Sequence, residues 1–160
     1  MPDLSESIPI RAAAATVYEM VSDLPRMGEW SPENRGARWL GSRAERPHRP
    51  ALGDRFVGHN RAGLLRWSTA GRVTVADPGR EFGFEVSFGP LPVAHWHYRF
   101  SDTSDPDGPS CTVTESWTER RPAAIRPVLD ALFRARRADL NARGIHRTLV
   151  NLKQAAEAAG

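Results

Sequence analysis

Ala94-His95-Trp96-His97-Tyr98-Arg99-Phe100 is the run from which the architecture of this chain is most readily inferred. Side chains alternate across a pleated strand, so Trp96, Tyr98 and Phe100 share one face while His95, His97 and Arg99 share the other. An aromatic strand face needs a cover. The only sizeable cover the sequence offers is one long amphipathic helix near the C-terminus. A broad aromatic face under a narrow lid points to a cavity between them.

The same alternation recurs on both sides of this run. Strands are expected near Asp54–Arg61, Leu65–Ala76, Arg80–Phe88, Ala94–Asp102 and Ser110–Glu119. Between them lie Arg61-Ala62-Gly63, Asp77-Pro78-Gly79, Gly89-Pro90-Leu91-Pro92 and Asp105-Pro106-Asp107-Gly108, turn sequences short enough to imply antiparallel neighbours. Strand parity assigns an inner face of Phe56, Gly58 and Asn60; Trp67, Thr69, Gly71, Val73 and Val75; Phe82, Phe84, Val86 and Phe88; Trp96, Tyr98 and Phe100; and Cys111, Val113, Glu115 and Trp117. Most of these residues read as core. The indoles and the phenol carry N–H and O–H groups that want partners when buried, so a partly polar cavity suits them better than sealed hydrocarbon.

Upstream, Ser5–Ile10 reads as a short first strand. Ala12–Leu24 reads as a helix with Val17, Met20, Val21 and Leu24 on one face, stopped by Pro25. A helical turn over Arg26–Trp30 leads into Ser31-Pro32-Glu33, Ala37–Leu40 forms a brief strand with Trp39, and Gly41–Gly53 is a loop containing His48. Trp30 either caps the cavity entrance or anchors the helical pair. Downstream, Ala123–Phe133 is amphipathic but interrupted by Pro127. Arg136–Ala159 is the long helix, with Ile145, Leu149, Leu152, Ala156 and Ala159 as its apolar stripe. About 22 residues at about 1.5 Å each would span roughly 33 Å, enough to cross the sheet.

Strand, two helices, six strands and a long helix is the order of the helix-grip fold. Val17-Tyr18-Glu19-Met20-Val21-Ser22-Asp23 followed by Trp30-Ser31-Pro32-Glu33 resembles the opening of SRPBCC (START-like) proteins of the polyketide cyclase/dehydrase group. Gly53-Asp54-Arg55-Phe56, Val113-Thr114-Glu115 and Thr148-Leu149-Val150-Asn151-Leu152-Lys153 carry the resemblance over nearly the whole chain. It implies an α+β fold in which a seven-stranded antiparallel sheet wraps around the final helix, with a cavity for a hydrophobic ligand. That superfamily shares few catalytic residues, so the resemblance speaks to architecture more than to activity.

Glu115 is the unexpected member of the inner face. A buried carboxylate is costly unless it becomes neutral or finds donors, here among Asn60, Thr69, Tyr98 or an indole N–H. It could be a satisfied structural group or one turned out by a bulge, a polar anchor for a ligand hydroxyl or carbonyl, or, with Tyr98, a weak candidate for proton transfer. The candidate ligand-binding set is Trp30, Phe56, Asn60, Trp67, Thr69, Phe82, Phe84, Trp96, Tyr98, Glu115 and Trp117. His95 and His97 have metal-compatible spacing but face outward without a third ligand. His59 shares the outer parity, and His146 belongs to the polar side of the last helix. No metal or other cofactor is expected.

A length of 160 residues with 40% apolar residues bounds the rest: one domain spanning 1–160 and one substantial core. Lone Cys111 reads as a reduced, buried thiol. Met1–Glu6 has no signal-peptide pattern and no window is apolar enough to span a membrane, so a cytoplasmic protein is expected. Net charge is only +3 and arises almost wholly from arginine, with Lys153 the sole lysine, as codon usage in a GC-rich genome would produce. Arg134, Arg136, Arg137, Arg143 and Arg147 read first as a solvated helix face, and nucleic acid is disfavoured. The polar outer sheet face argues against an obligate dimer through it. The leading expectation is a protein that binds a hydrophobic, partly oxygenated small molecule such as a lipid, polyketide or aromatic metabolite. The alternatives are a cyclase or dehydratase, and a module docking on protein, RNA or membrane.

Overall fold

The computed structural model describes residues 1–41, 49–132 and 136–160. His48, Phe133 and Arg134 lie outside the described residues. Seven strands, β1 (Leu4–Ile10), β2 (Asn34–Trp39), β3 (Arg55–Ala62), β4 (Leu65–Asp77), β5 (Glu81–Phe88), β6 (Leu91–Thr103) and β7 (Ser110–Glu119), form one antiparallel sheet in the order β1-β7-β6-β5-β4-β3-β2. Helix α1 (Ala14–Ser22) and a 3-10 turn (Leu24–Glu29) follow β1; α2 (Arg126–Leu132) and the long α3 (Arg137–Ala158) follow β7. The expected helix-grip α+β architecture is therefore present.

Helix α1 covers one end of the inner sheet face. Its N-terminal Ala13 offers no side-chain acceptor, and the Asp102 carboxylate of β6 takes that place, accepting from the Ala14 N–H at 2.8 Å. Tyr18 then sits edge-on against Phe82 and Phe100, at 6.1 and 5.6 Å between ring centroids. This end is dry core. Where the 3-10 turn meets β2, the backbones nearly touch: a Cβ on Gly28 would fall 2.8 Å from the Arg35 carbonyl carbon, and one on Gly36 would fall 2.7 Å from the Pro25 carbonyl oxygen.

The long helix does not lie centrally on the sheet. Its packing partners are β1 and β7 together with α1, and it is stapled to the β1 edge. There Lys153 Nζ donates to the Pro9 carbonyl at 2.7 Å, and the Arg11 N–H donates to Glu157 Oε1 at 2.9 Å. Ile145, Leu149, Leu152 and Ala156 are buried along its inner stripe, while Ala159 falls past the helix end and is exposed. Because the helix leans to one side, the inner faces of β3 to β6 are only partly covered.

Several details differ from the sequence-based expectation, among them the start of β2 at Asn34 rather than Ala37. A register shift between Val73 and Val75 reverses parity, so Val75 faces the outside with Gly83, and Ala76 takes the inward position opposite Phe82. Strand β6 begins at Leu91 rather than Ala94, because Gly89 at φ 56° and Pro90 alone complete the hairpin turn. Pro127 does not break its segment: it occupies the first turn of α2, where no intrahelical acceptor awaits its missing N–H. No helix among the described residues is long and apolar enough to cross a membrane.

Candidate functional site

Between α3 and the half of the sheet it leaves uncovered lies a cavity of about 1070 Å³, open at the end where β3 meets β4 and β5 meets β6. Nine of the eleven candidate residues line it: Phe56, Asn60, Trp67, Thr69, Phe84, Trp96, Tyr98, Glu115 and Trp117. Trp30 and Phe82 do not. Phe82 is held in the dry end beneath Tyr18. Trp30 is an anchor: its carbonyl accepts from Asn151 Nδ2 of α3 at 2.9 Å, and the Arg26 guanidinium lies 5.6 Å above its ring.

The wall is built from stacked inward residues. A Cβ at Gly71 would fall inside the Phe56 ring, so glycine there lets the ring lie flat on the β4 backbone. Phe56 in turn meets Trp39 and Phe84 edge-on at 5.7 and 5.5 Å. Gly58 leaves the nearby surface low enough for a polar chain: Asn34 Nδ2 donates to Asn60 Oδ1 at 3.3 Å, and Asn60 Nδ2 reaches Thr69 Oγ1 at 3.5 Å. Asn60 and Thr69 are thus committed to each other and to Asn34, not to Glu115.

Glu115 points inward without a bulge, since β6 and β7 pair continuously from Thr103↔Ser110 to Ala94↔Glu119. It is 2% exposed, and the Tyr98 hydroxyl, directly opposite in register, donates to its Oε1 at 2.7 Å. Burial pushes the carboxyl up to about 8; the Tyr98 hydrogen bond opposes that rise, and the Glu6 carboxylate, opposite on β1, adds to it. Glu6 is itself bonded to His146 Nδ1 at 2.7 Å. Burial, reinforced by Glu115, holds the Tyr98 phenol well above its ordinary value. At neutral pH the pair is therefore a carboxylic acid accepting from a neutral phenol, with Oε2 free to donate a proton in a hydrogen bond.

Four buried side-chain atoms lack a protein partner among the described residues: Glu115 Oε2, Trp117 Nε1, Asn141 Nδ2 and Trp30 Nε1. Three of the four belong to residues that line the cavity. Buried polar atoms are nearly always bonded, so this clustering leaves the cavity wall with three hydrogen-bonding groups that no described residue uses. Asn141 and His146 also line the cavity, His146 from a position that the helical spacing predicts to lie on the outer, polar side. Asn141 was legible in principle: it sits four residues before Ile145 on the buried stripe, where a polar residue is out of place.

The histidines of the outer face are tied to neighbours. His95 Nε2 lies 2.9 Å from Thr74 Oγ1, His97 Nε2 lies 3.4 Å from Glu81, and the two rings stack at 6.2 Å. Burial, then His97 and Arg120, lower the His95 pKa. Cys111 is fully buried, and burial together with Asp102 pushes its thiol up to about 11, an inert group.

The sequence matches the model of one protein family, described as polyketide cyclase/dehydrase and lipid transport, over residues 1–157. The chain belongs to this family. Among solved structures it is similar to the Polyketide_cyc-like protein Cgl2372 from Corynebacterium glutamicum, with 31% identity, 96% of this chain and 90% of that one covered, and a TM-score of 0.59. The di-domain ARO/CYC StfQ of the steffimycin biosynthetic pathway has a TM-score of 0.65 at 16% identity, covering 96% of this chain. This chain spans 44% of StfQ's length. DR_A0006 from Deinococcus radiodurans shares the fold at 15% identity, with 98% of both chains covered and a TM-score of 0.63. A comparison with curated proteins finds no match.

Proposed function

We propose that this protein binds one hydrophobic, partly oxygenated small molecule, of lipid, polyketide or aromatic-metabolite type, in the cavity between α3 and strands β3 to β7. The observation that carries this reading is the coincidence of an aromatic cavity of about 1070 Å³ with three unpartnered buried polar atoms on its lining residues. The aromatic rings take the hydrocarbon. The Glu115 acid, the Trp117 indole and the Asn141 amide donate to oxygens on the ligand. A family described by cyclisation, dehydration and lipid transport is consistent with such a ligand.

Native mass spectrometry of the protein purified from its own host tests the proposal, together with titration of 1,8-dihydroxyanthraquinone followed by tryptophan quenching. A copurifying hydrophobic molecule, or saturable one-to-one quenching weakened by Ala37→Phe, which projects a ring from the cavity wall, is the expected result. A protein that carries nothing and never saturates, or whose quenching ignores Ala37→Phe, would sink the reading.

One observation favours a second reading, a cyclase or dehydratase. Glu115 has a proton to give near neutral pH and one oxygen free to give it, which is what a general acid acting on a ligand carbonyl requires. Turnover of a poly-β-ketone mimic that disappears in a folded Glu115→Gln variant while binding persists would select the enzyme; binding without turnover selects the carrier.

A further inference from the structure

The rim of the cavity carries a surface that small-molecule binding does not require. Five of the seven exposed large apolar residues among those described lie at this end: Leu64 and Leu65 at the β3–β4 tip, Phe88 at the β5–β6 tip, and Val128 and Leu132 on α2. Leu64 is 97% exposed, Leu132 74% and Phe88 58%. Single exposed apolar residues need no explanation, but a ring of them around one opening does.

Arginines share this end. Arg61 and Arg66 flank the β3–β4 tip, and Arg35 lies near the start of β2, which pairs with the end of β3. None of these three makes an ion pair with a carboxylate among the described residues, whereas neighbouring Arg121 is held by Glu119 and Asp130, and Arg137 by Glu33. The acids at this end are therefore largely committed, and the free charge is positive.

We propose that this end of the molecule docks on an anionic lipid membrane, with the hairpin tips and α2 entering the acyl boundary and the arginines meeting lipid phosphates. Charge complementarity selects the partner: exposed leucine and phenylalanine beside unpaired arginine match a surface that is apolar beneath an anionic layer. A soluble acidic protein would satisfy the arginines and leave Leu64 in water. The cavity opens on the docking side, so a ligand could pass between bilayer and cavity without crossing water.

Co-sedimentation of the full chain with vesicles tests this, using phosphatidylcholine alone and an equimolar phosphatidylcholine–phosphatidylglycerol mixture. Binding only to the anionic vesicles is expected, reduced about tenfold by the double change Leu64→Ser and Val128→Ser and about tenfold by Arg66→Glu. All three side chains are exposed and none lines the cavity, so circular dichroism and anthraquinone binding should match the parent. That control separates loss of docking from failure of the cavity reading. Absence of binding to anionic vesicles overturns the proposal. So does binding that responds to Arg66→Glu but ignores the serine changes, which would indicate charge attraction of the kind a soluble acidic partner uses.

Discussion

Glu115 is the residue whose environment has the most consequences. Its pKa is about 8 in the folded protein and near the ordinary 4.5 in the unfolded chain, so between these values the folded state holds a proton that the unfolded state has lost. Stability is therefore greatest below about pH 4.5 as far as this group is concerned, declines by about 1 kcal/mol per pH unit as pH rises toward 8, and levels off above it. Glu115→Gln should abolish that decline and stabilise the protein at pH 8, read as denaturant midpoints across pH; an unchanged slope would assign the decline to other groups. Tyr98→Phe acts oppositely. It removes the Tyr98 hydrogen bond to the carboxyl, should cost about 1–2 kcal/mol, and moves the upper end of the decline to higher pH, because that bond lowers the Glu115 pKa.

At the scale of elements, each strand contributes through which of its faces the pleat turns inward, and the cavity depends on small residues as much as on large ones. Gly71→Ala would drive the Phe56 ring off the β4 backbone and into the cavity. The expected cost is about 1–3 kcal/mol, with weaker anthraquinone binding measured in the same preparation. Helix α3 is a different case, because Leu149 is fully buried on its stripe, away from the cavity lining. Leu149→Ala should cost about 2–5 kcal/mol in chemical denaturation while leaving ligand affinity in the remaining folded protein close to that of the parent. The two substitutions together separate the face that holds the fold together from the face that lines the cavity.

At the scale of the whole molecule, one end is closed by Tyr18 of α1 over Phe82 and Phe100, and the other is open because α3 leans on β1 and β7. The open half has aromatic walls that a ligand would cover. Occupancy should therefore stabilise the protein: at a free ligand concentration about a hundredfold above Kd the gain is about 2.7 kcal/mol. Differential scanning fluorimetry with the anthraquinone would show it as a concentration-dependent rise in Tm, and a flat Tm at saturating quenching would mean that the folded and unfolded chains bind it equally.

Alternation at Trp96, Tyr98 and Phe100, the turn residues between strands and the helical spacing from Ile145 to Ala156 made the antiparallel meander and the long helix legible without coordinates, because these are local consequences of two backbone periods, while the full seven-stranded sheet was implied by the family resemblance. The inward direction of Glu115 was legible for the same reason. Three things were not. Val75 turns outward because an irregularity in the β4–β5 ladder shifts the count by one residue, and the two-residue alternation alone carries no record of it. Phe82 and Phe84 have the same parity, but α1 covers only the first, so depth along the strand separates core from cavity wall. The pairing of Glu115 with Tyr98, the isolation of Asn141 and the gathering of Leu64, Phe88 and Leu132 at one mouth join residues far apart in the chain. Only the registry of the sheet and the lean of the helix bring them together.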